Sequence, residues 1–155
     1  MSFLSLTALV VLALAGAAGA MLRYLIDVSF TAAQVRQAPR RKHYFPWGIF
    51  SANTLACFLM AGILGVAAHT GVQLQLDRLL NAQGAGDPLS FSVSLVLLAL
   101  SIGFCGSLST MSTLMVSVLA LSRSGARTMA LAYLGVSLAA GLAAGSLGYY
   151  IPTLF

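Results

Sequence analysis

Four long apolar runs alternate with shorter polar stretches along the chain, at about residues 3–23, 45–68, 89–122 and 129–150. An α-helix rises about 1.5 Å per residue, so about 20 apolar residues cross a hydrocarbon core about 30 Å thick. A helix also satisfies its own backbone hydrogen bonds without water. The pattern therefore predicts an all-α membrane protein, with a single domain of four transmembrane helices that extends over residues 1–155.

The third run is too long for one straight span, and its middle is rich in small and hydroxyl-bearing residues. These residues are Gly103, Gly106, Ser107, Ser109, Thr110, Ser112 and Thr113. Gly propagates a helix poorly, and Ser and Thr side chains compete for backbone hydrogen bonds. One interpretation is a broken helix whose released carbonyls bind an ion. The other is a continuous helix with a small-residue packing face, and the residues alone leave both open.

Composition supports a membrane protein and limits what the positive charge can mean. The chain has 155 residues, of which 59% are hydrophobic and 7% are charged, and its net charge is +5. Few soluble domains carry so little charge. The basic residues lie between apolar runs, without the interleaved aromatic residues of a nucleic-acid-binding stripe, so we predict no nucleic-acid partner. Cys57 and Cys105 both fall within apolar runs, and we predict free thiols.

Near the end of the first run, a small residue and a cation share one helix face. Gly19 and Arg23 are four residues apart, so they lie one above the other. A glycine lets another backbone approach closely, which predicts a structural role for this face. The alternative for Arg23 is that it snorkels at the membrane edge.

Polar residues also interrupt the second and fourth runs. Asn53 lies in the second run, where a buried amide either hydrogen-bonds a neighbouring helix or contacts a ligand. In the fourth run Tyr133, Ser137, Gly141 and Gly145 recur every four residues, so they form one stripe. Such a stripe faces either another part of the protein or a narrow wet path, and close packing through the glycines explains it equally well.

The positive charges are distributed unequally between the two sides that four spans would create. The connections at 25–44 and 122–128 carry Arg36, Arg40, Arg41, Lys42, Arg123 and Arg127. The opposite side carries only Arg78 between spans. Because cytoplasmic loops are enriched in Lys and Arg, we predict a multi-pass protein of the cell membrane with both termini outside.

The motifs in these runs resemble those of the Fluc family, also called CrcB. In the first two runs the residues in register with the family are Gly16, Gly19, Ala20, Arg23, Tyr24, Gly48, Asn53 and Phe58. In the last two runs they are Gly103, Phe104, Cys105, Gly106, Thr110, Ser112, Thr113, Tyr133 and Ser137. The resemblance covers all four spans, and its motifs occur in the family's order.

The resemblance implies a fluoride channel that lets fluoride leave the cell passively and so limits fluoride toxicity. It implies an antiparallel dimer, that is, two subunits in opposite orientation, with a structural Na⁺ at the two-fold axis held by the carbonyls of Gly106 and Ser109. A hard cation prefers oxygen ligands, and a broken helix supplies carbonyls. The ion pathway implied by the resemblance includes Asn53, Thr110, Met111, Ser112, Leu114, Tyr133 and Ser137.

Two departures from the family pattern bear on the partner. Met111 and Leu114 occupy positions where the family has phenylalanines. The unequal charge also disfavours insertion in both orientations, which a homodimer of this kind requires. These departures point to a heterodimer with a related subunit, and the sequence leaves a homodimer equally open.

Other functions need features that we do not find in the sequence. A small multidrug antiporter, also an antiparallel four-span dimer, needs a carboxylate within the membrane, and all three Asp lie at or beyond the predicted span ends. A membrane enzyme would need an in-membrane cluster of His, Asp or Glu, or a nucleophile with a base. A non-conducting subunit of a channel stays possible because of Met111 and Leu114.

Overall fold

The computed structural model describes residues 3–37, 45–70 and 88–154, and their regular structure is entirely helical. The α-helices are α1 (Phe3–Gln37), α2 (Trp47–Thr70), α3 (Pro88–Leu98), α4 (Gly106–Leu108), α5 (Met111–Arg123) and α6 (Arg127–Tyr150). A π-helical segment, Ala99–Cys105, joins α3 to α4, and a 3₁₀ turn, Ile151–Leu154, follows α6. Arg40, Arg41, Lys42 and Arg78, which were counted in the prediction of orientation, lie outside the described residues.

Four helical stretches of the described chain are long and apolar enough to cross a membrane. They are Leu6–Arg36, Trp47–His69, Ser92–Arg123 and Arg127–Tyr150. Large apolar side chains cover their outer surface; Leu131 and Leu142, for example, are 71% and 75% exposed. Such a surface suits hydrocarbon or another subunit rather than water. The prediction of an all-helical protein with four long apolar helices is confirmed, and the chain is a multi-pass membrane protein.

The first helix is longer than the predicted span. The sequence predicted a span that ends near residue 23, followed by a connection, but α1 continues without a break to Gln37. Residues 24–37 contain no Gly or Pro, so nothing in the backbone stops the helix. The apolar run marks the part of a helix that suits lipid, and it does not mark where the helix ends.

Glycines let the helices pack as two pairs, and the two helices of each pair run in the same direction. In one pair α1 lies against the π-helical segment and α4: a Cβ at Gly19 would overlap the Phe104 carbonyl oxygen and the Ser107 Oγ. In the other pair α2 lies against α6, and a Cβ at Gly148 would overlap the Phe58 carbonyl oxygen. Removing the side chain at these positions brings the backbones of the paired helices into direct contact.

A tight turn brings α6 back along α5. Gly125 has φ of 87° and donates its N–H to the Ser122 carbonyl at 3.2 Å. The next N–H, of Ala126, reaches the Leu121 carbonyl at 3.1 Å. This is a Schellman turn, in which glycine adopts the left-handed conformation at little cost. It seats Ala130 and Tyr133 of α6 against Leu121 and Leu114 of α5.

We expect Gly148→Ala to destabilise the protein more than Gly135→Ala. The new methyl group would have to displace the backbone of α2, and overpacking of this kind costs about 1–3 kcal/mol. Gly135 is on the same helix and has no atom within 4 Å of its Cβ position, so it is the matched control. Unfolding of both purified variants in detergent measures the difference, and equal stability would contradict this packing.

Candidate functional site

The helix of the third apolar run is interrupted at two residues. After α4 ends at Leu108, Ser109 has φ and ψ of −90° and 147°, and Thr110 has −151° and 122°. Both conformations are extended, and α5 begins at Met111. We call Ser109–Thr110 the interruption. Irregular backbone at membrane depth occurs where it is buried in protein or lines a polar cavity.

Asn53 of α2 binds the backbone of the interruption. The Thr110 N–H donates to Asn53 Oδ1 at 2.8 Å, and Asn53 Nδ2 donates to the Thr110 carbonyl at a longer 3.5 Å. A backbone N–H can only donate, so the amide oxygen must face it, which fixes the orientation of the side chain. The Asn53 amide thus links α2 to the interruption, and it has one further N–H to offer.

The Thr110 side chain organises the start of α5. Its Oγ1 accepts the Thr113 N–H at 3.0 Å, which makes Thr110 the N-cap of this helix. Threonine is a favourable N-cap because its oxygen satisfies an N–H that has no partner in the first turn. The same Oγ1 lies 3.0 Å from Ser112 Oγ and 2.8 Å from Thr113 Oγ1. Three hydroxyl groups are therefore gathered beside the interruption.

Gly106 and Ser109 line a groove of about 430 Å³ on one side of the molecule. Opposite them in the groove lie Cys57 of α2 and the glycines Gly141 and Gly145 of α6. Both cysteines of the chain are free thiols. Within residues 3–37, 45–70 and 88–154, no three His, Cys, Asp or Glu side chains form a cluster that could hold a metal ion.

Tyr133 and Ser137 carry buried hydroxyls that have no hydrogen-bond partner among the described residues beyond each other. Tyr133 is fully buried, and neither its hydroxyl nor Ser137 Oγ has a hydrogen bond of standard geometry within the described residues, although the two hydroxyls are close enough to interact with each other. The two residues are one turn apart on the same face of α6. Unpaired buried hydroxyls are rare because they lose their water without replacement, at a cost of about 1–3 kcal/mol. The pair therefore offers hydrogen bonds that the described protein leaves unused.

The two residues at the family's phenylalanine positions lie in different surroundings. Leu114 is 4% exposed and packs in a core cluster with Tyr133, whereas Met111 is 59% exposed at the start of α5. The structure thus brings Asn53, Thr110 and Ser112 to the interruption and places Leu114 next to Tyr133. It leaves Met111 apart from that cluster, on the molecular surface.

The aromatic ring of Phe45, just before α2, packs against Tyr133, and no sequence motif groups the two residues. The Phe45 ring lies 4.9 Å from the Tyr133 ring at 86°, and 5.8 Å from the Phe50 ring. Gln34 of α1 donates from Nε2 to the Phe45 carbonyl at 2.7 Å and holds this segment in place. Phe45 and Tyr133 are far apart in the sequence, so only the tertiary fold reveals the contact.

Comparison with known proteins identifies the family. The family model described as "CrcB-like protein, Camphor Resistance (CrcB)" matches residues 10–149. The chain belongs to the CrcB family. The resemblance seen in the sequence motifs is confirmed, and the matched region includes the interruption, Asn53 and the hydroxyl pair of α6.

Several CrcB relatives are similar over nearly the whole chain. A protein named fluoride-specific ion channel FluC 1 from Frankia casuarinae is 36% identical over 141 residues, 88% of this chain and 90% of the relative. One with the same name from Desulfitobacterium hafniense is 32% identical over 86% of this chain and 92% of its own. A fluoride-specific ion channel FluC from Ignicoccus hospitalis is 33% identical over 91% of each chain.

We expect Leu114→Phe and Met111→Phe to differ in stability. The larger ring at position 114 would overpack the cluster around Tyr133 and lower the free energy of unfolding by about 1–3 kcal/mol. The same change at the exposed position 111 should stay within about 0.5 kcal/mol. Denaturant unfolding of the two variants in detergent measures this difference. A larger loss of unfolding free energy for Met111→Phe would contradict the burial of position 114 and the exposure of position 111.

Proposed function

We propose that this CrcB protein is a subunit of a fluoride-selective channel of the cell membrane, which lets fluoride leave passively and limits its toxicity. The names of its relatives support the ion and the mode of transport. The observation that carries the proposal in this structure is the buried hydroxyl pair, Tyr133 and Ser137, which has no hydrogen-bond partner beyond the pair among the described residues. Fluoride gives up tightly held water on entering a narrow path, so the path must supply hydrogen-bond donors in its place.

Three side chains are the proposed donors to the anion. They are the Tyr133 and Ser137 hydroxyls and the remaining N–H of Asn53 Nδ2. Thr110 and Ser112 add hydroxyls at the interruption, while Met111 and Leu114 contribute apolar surface. The Phe45 ring beside Tyr133 adds an aromatic edge, which carries positive potential and can face an anion. None of these groups is charged, which suits a small anion that must bind and then leave.

The proposed assembly contains a second subunit in the opposite orientation, with Na⁺ between the two. Ser109 lies in the interruption, Gly106 begins α4 just before it, and both residues line the same groove. Backbone carbonyl oxygens are ligands that a hard cation prefers. Glycines on α6 keep the groove open to the surface. Bound there, the ion would neutralise carbonyl dipoles and join the subunits. Unequal charge favours a related partner chain, and a second copy of this chain is the alternative.

An antiporter is a weaker candidate in this structure. Proton-coupled export needs a carboxylate inside the membrane. Asp27, the one acidic residue of the described chain, is half-buried on α1 and lies against Gly48 in the first turn of α2. The α2 helix begins at Trp47, so Asp27 lies at one edge of the apolar bundle rather than in its middle.

We expect the purified protein to release fluoride from liposomes when a potassium ionophore clamps the voltage, and to release no chloride. The assay is run with this chain alone and with a related subunit, because the partner is unidentified. Flux only in the mixed sample would indicate a heterodimer. No fluoride flux in either sample, or proton-coupled uptake of organic cations, would refute the proposal.

We expect Tyr133→Phe to slow fluoride flux while it largely keeps the stability of the protein. The variant loses a donor to the anion, and about 1.4 kcal/mol corresponds to tenfold in rate. It also removes a buried hydroxyl whose only hydrogen-bonding neighbour in the described chain is Ser137 Oγ, so the free energy of unfolding should not fall by more than about 1 kcal/mol. Tyr149→Phe, at an exposed position on the same helix, is the control. Unchanged flux in Tyr133→Phe, Ser137→Ala and the double variant would exclude these hydroxyls from the path.

A further inference from the structure

Two amide protons near the interruption bond to side chains instead of to helical carbonyls. In a continuous α-helix the N–H of each residue bonds to the carbonyl four residues earlier. Thr110 would then donate to Gly106, and Thr113 would donate to Ser109. In the structure the Thr110 N–H donates to Asn53 Oδ1 at 2.8 Å, and the Thr113 N–H donates to Thr110 Oγ1 at 3.0 Å.

We propose that Asn53 and Thr110 are positioning residues that keep a cation site open by intercepting these two amide protons. The interception removes the helical donors of the Gly106 and Ser109 carbonyls. The start of α5 at Met111 also leaves the Ser107 and Leu108 carbonyls without helical donors, but of these four residues only Gly106 and Ser109 line the groove. The identity of the ion, Na⁺, rests on the proposed function. The interception is a property of this backbone and can be tested without any ion.

The neighbouring hydrogen bonds show that the diversion is local. The Ser109 N–H keeps its helical bond to the Cys105 carbonyl at 3.1 Å, and the Leu114 N–H reaches the Thr110 carbonyl at 3.4 Å. The regular pattern thus runs up to the interruption and resumes after it. If the Thr110 and Thr113 N–H groups formed regular helical hydrogen bonds, they would donate to the Gly106 and Ser109 carbonyls and remove the interruption.

Packing holds the Asn53 side chain in the position that the interception requires. Ala52 and Ala56, on either side of Asn53 in α2, are buried against Leu108, the last residue of α4. These contacts fix the distance between α2 and the interruption. Without the Asn53 oxygen, the Thr110 N–H would be left unpaired in an apolar protein, and bonding to the Gly106 carbonyl is its simplest remedy.

Paired variants separate the lost acceptor from a change of size. Asn53→Leu and Thr110→Val remove the intercepting oxygen at similar volume, whereas Asn53→Asp and Thr110→Ser keep an oxygen acceptor. Thr54→Val and Ser117→Ala are the controls, since these hydroxyls bond only to carbonyls four residues back in their own helices, Phe50 and Thr113. If Asn53→Leu fails to fold, Thr110→Val alone carries the test.

The first measurement is the ¹³C chemical shift of Ser109 Cα and carbonyl in the labelled full-length protein, without fluoride and in Na⁺-free buffer. We expect extended values in the wild type, in the acceptor-keeping variants and in the controls. Asn53→Leu and Thr110→Val should shift Ser109 toward helical values. An unchanged Ser109 in both of these variants would overturn the interception.

The second measurement is the Na⁺ concentration that half-maximally raises the melting temperature, with a large organic cation as the salt control. We expect Asn53→Leu and Thr110→Val to need at least about tenfold more Na⁺, equivalent to about 1.4 kcal/mol. The sample for this titration is the assembly, either this chain alone or this chain with a related subunit, that conducts fluoride in the liposome assay. If Ser109 turns helical in the variants but Na⁺ stabilises no sample, the interception stands and Na⁺ is excluded as the occupant.

Discussion

The absence of water around the helices is the constraint on which the rest of this structure depends. Every backbone N–H and C=O in hydrocarbon needs a partner within the protein, which is why the described chain is helical almost throughout. Where the helix is interrupted at Ser109–Thr110, two side chain oxygens replace the missing carbonyl partners. The interruption is therefore a stable part of the fold, built from ordinary hydrogen bonds.

Close packing makes these replacements possible. The Asn53 side chain is short, so α2 must lie near the interruption for its amide to reach Thr110. Gly148 brings α6 against α2, and Gly19 brings α1 against α4, so both parallel pairs approach at backbone distance. In lipid, helices gain little from hiding apolar surface, and contact of this kind is what holds them together. The small residues of the motifs thus serve the site as well as the fold.

Hydropathy predicted the number and type of the helices because a spanning helix must be apolar over a fixed length. It could not predict that α1 continues to Gln37, since helix propagation beyond lipid depends on the backbone and not on hydrophobicity. The motifs identified Asn53 and Thr110, but they left two roles open for Asn53, a hydrogen bond to a neighbouring helix or a contact with a ligand. Its bond to Thr110 depends on the distance between two helices, and the contact of Phe45 with Tyr133 depends on the same tertiary packing.

Under the proposed function, one neutral side chain serves two ions of opposite sign. The oxygen of the Asn53 amide takes up a backbone donor, which releases carbonyl acceptors on the side where a cation would bind. The nitrogen of the same amide keeps one N–H that could donate to an anion. A charged residue could not do both, because a carboxylate would repel the anion and an ammonium would repel the cation. Under the proposed function, a chain with so few charges in its helices would bind ions of both signs through dipoles alone.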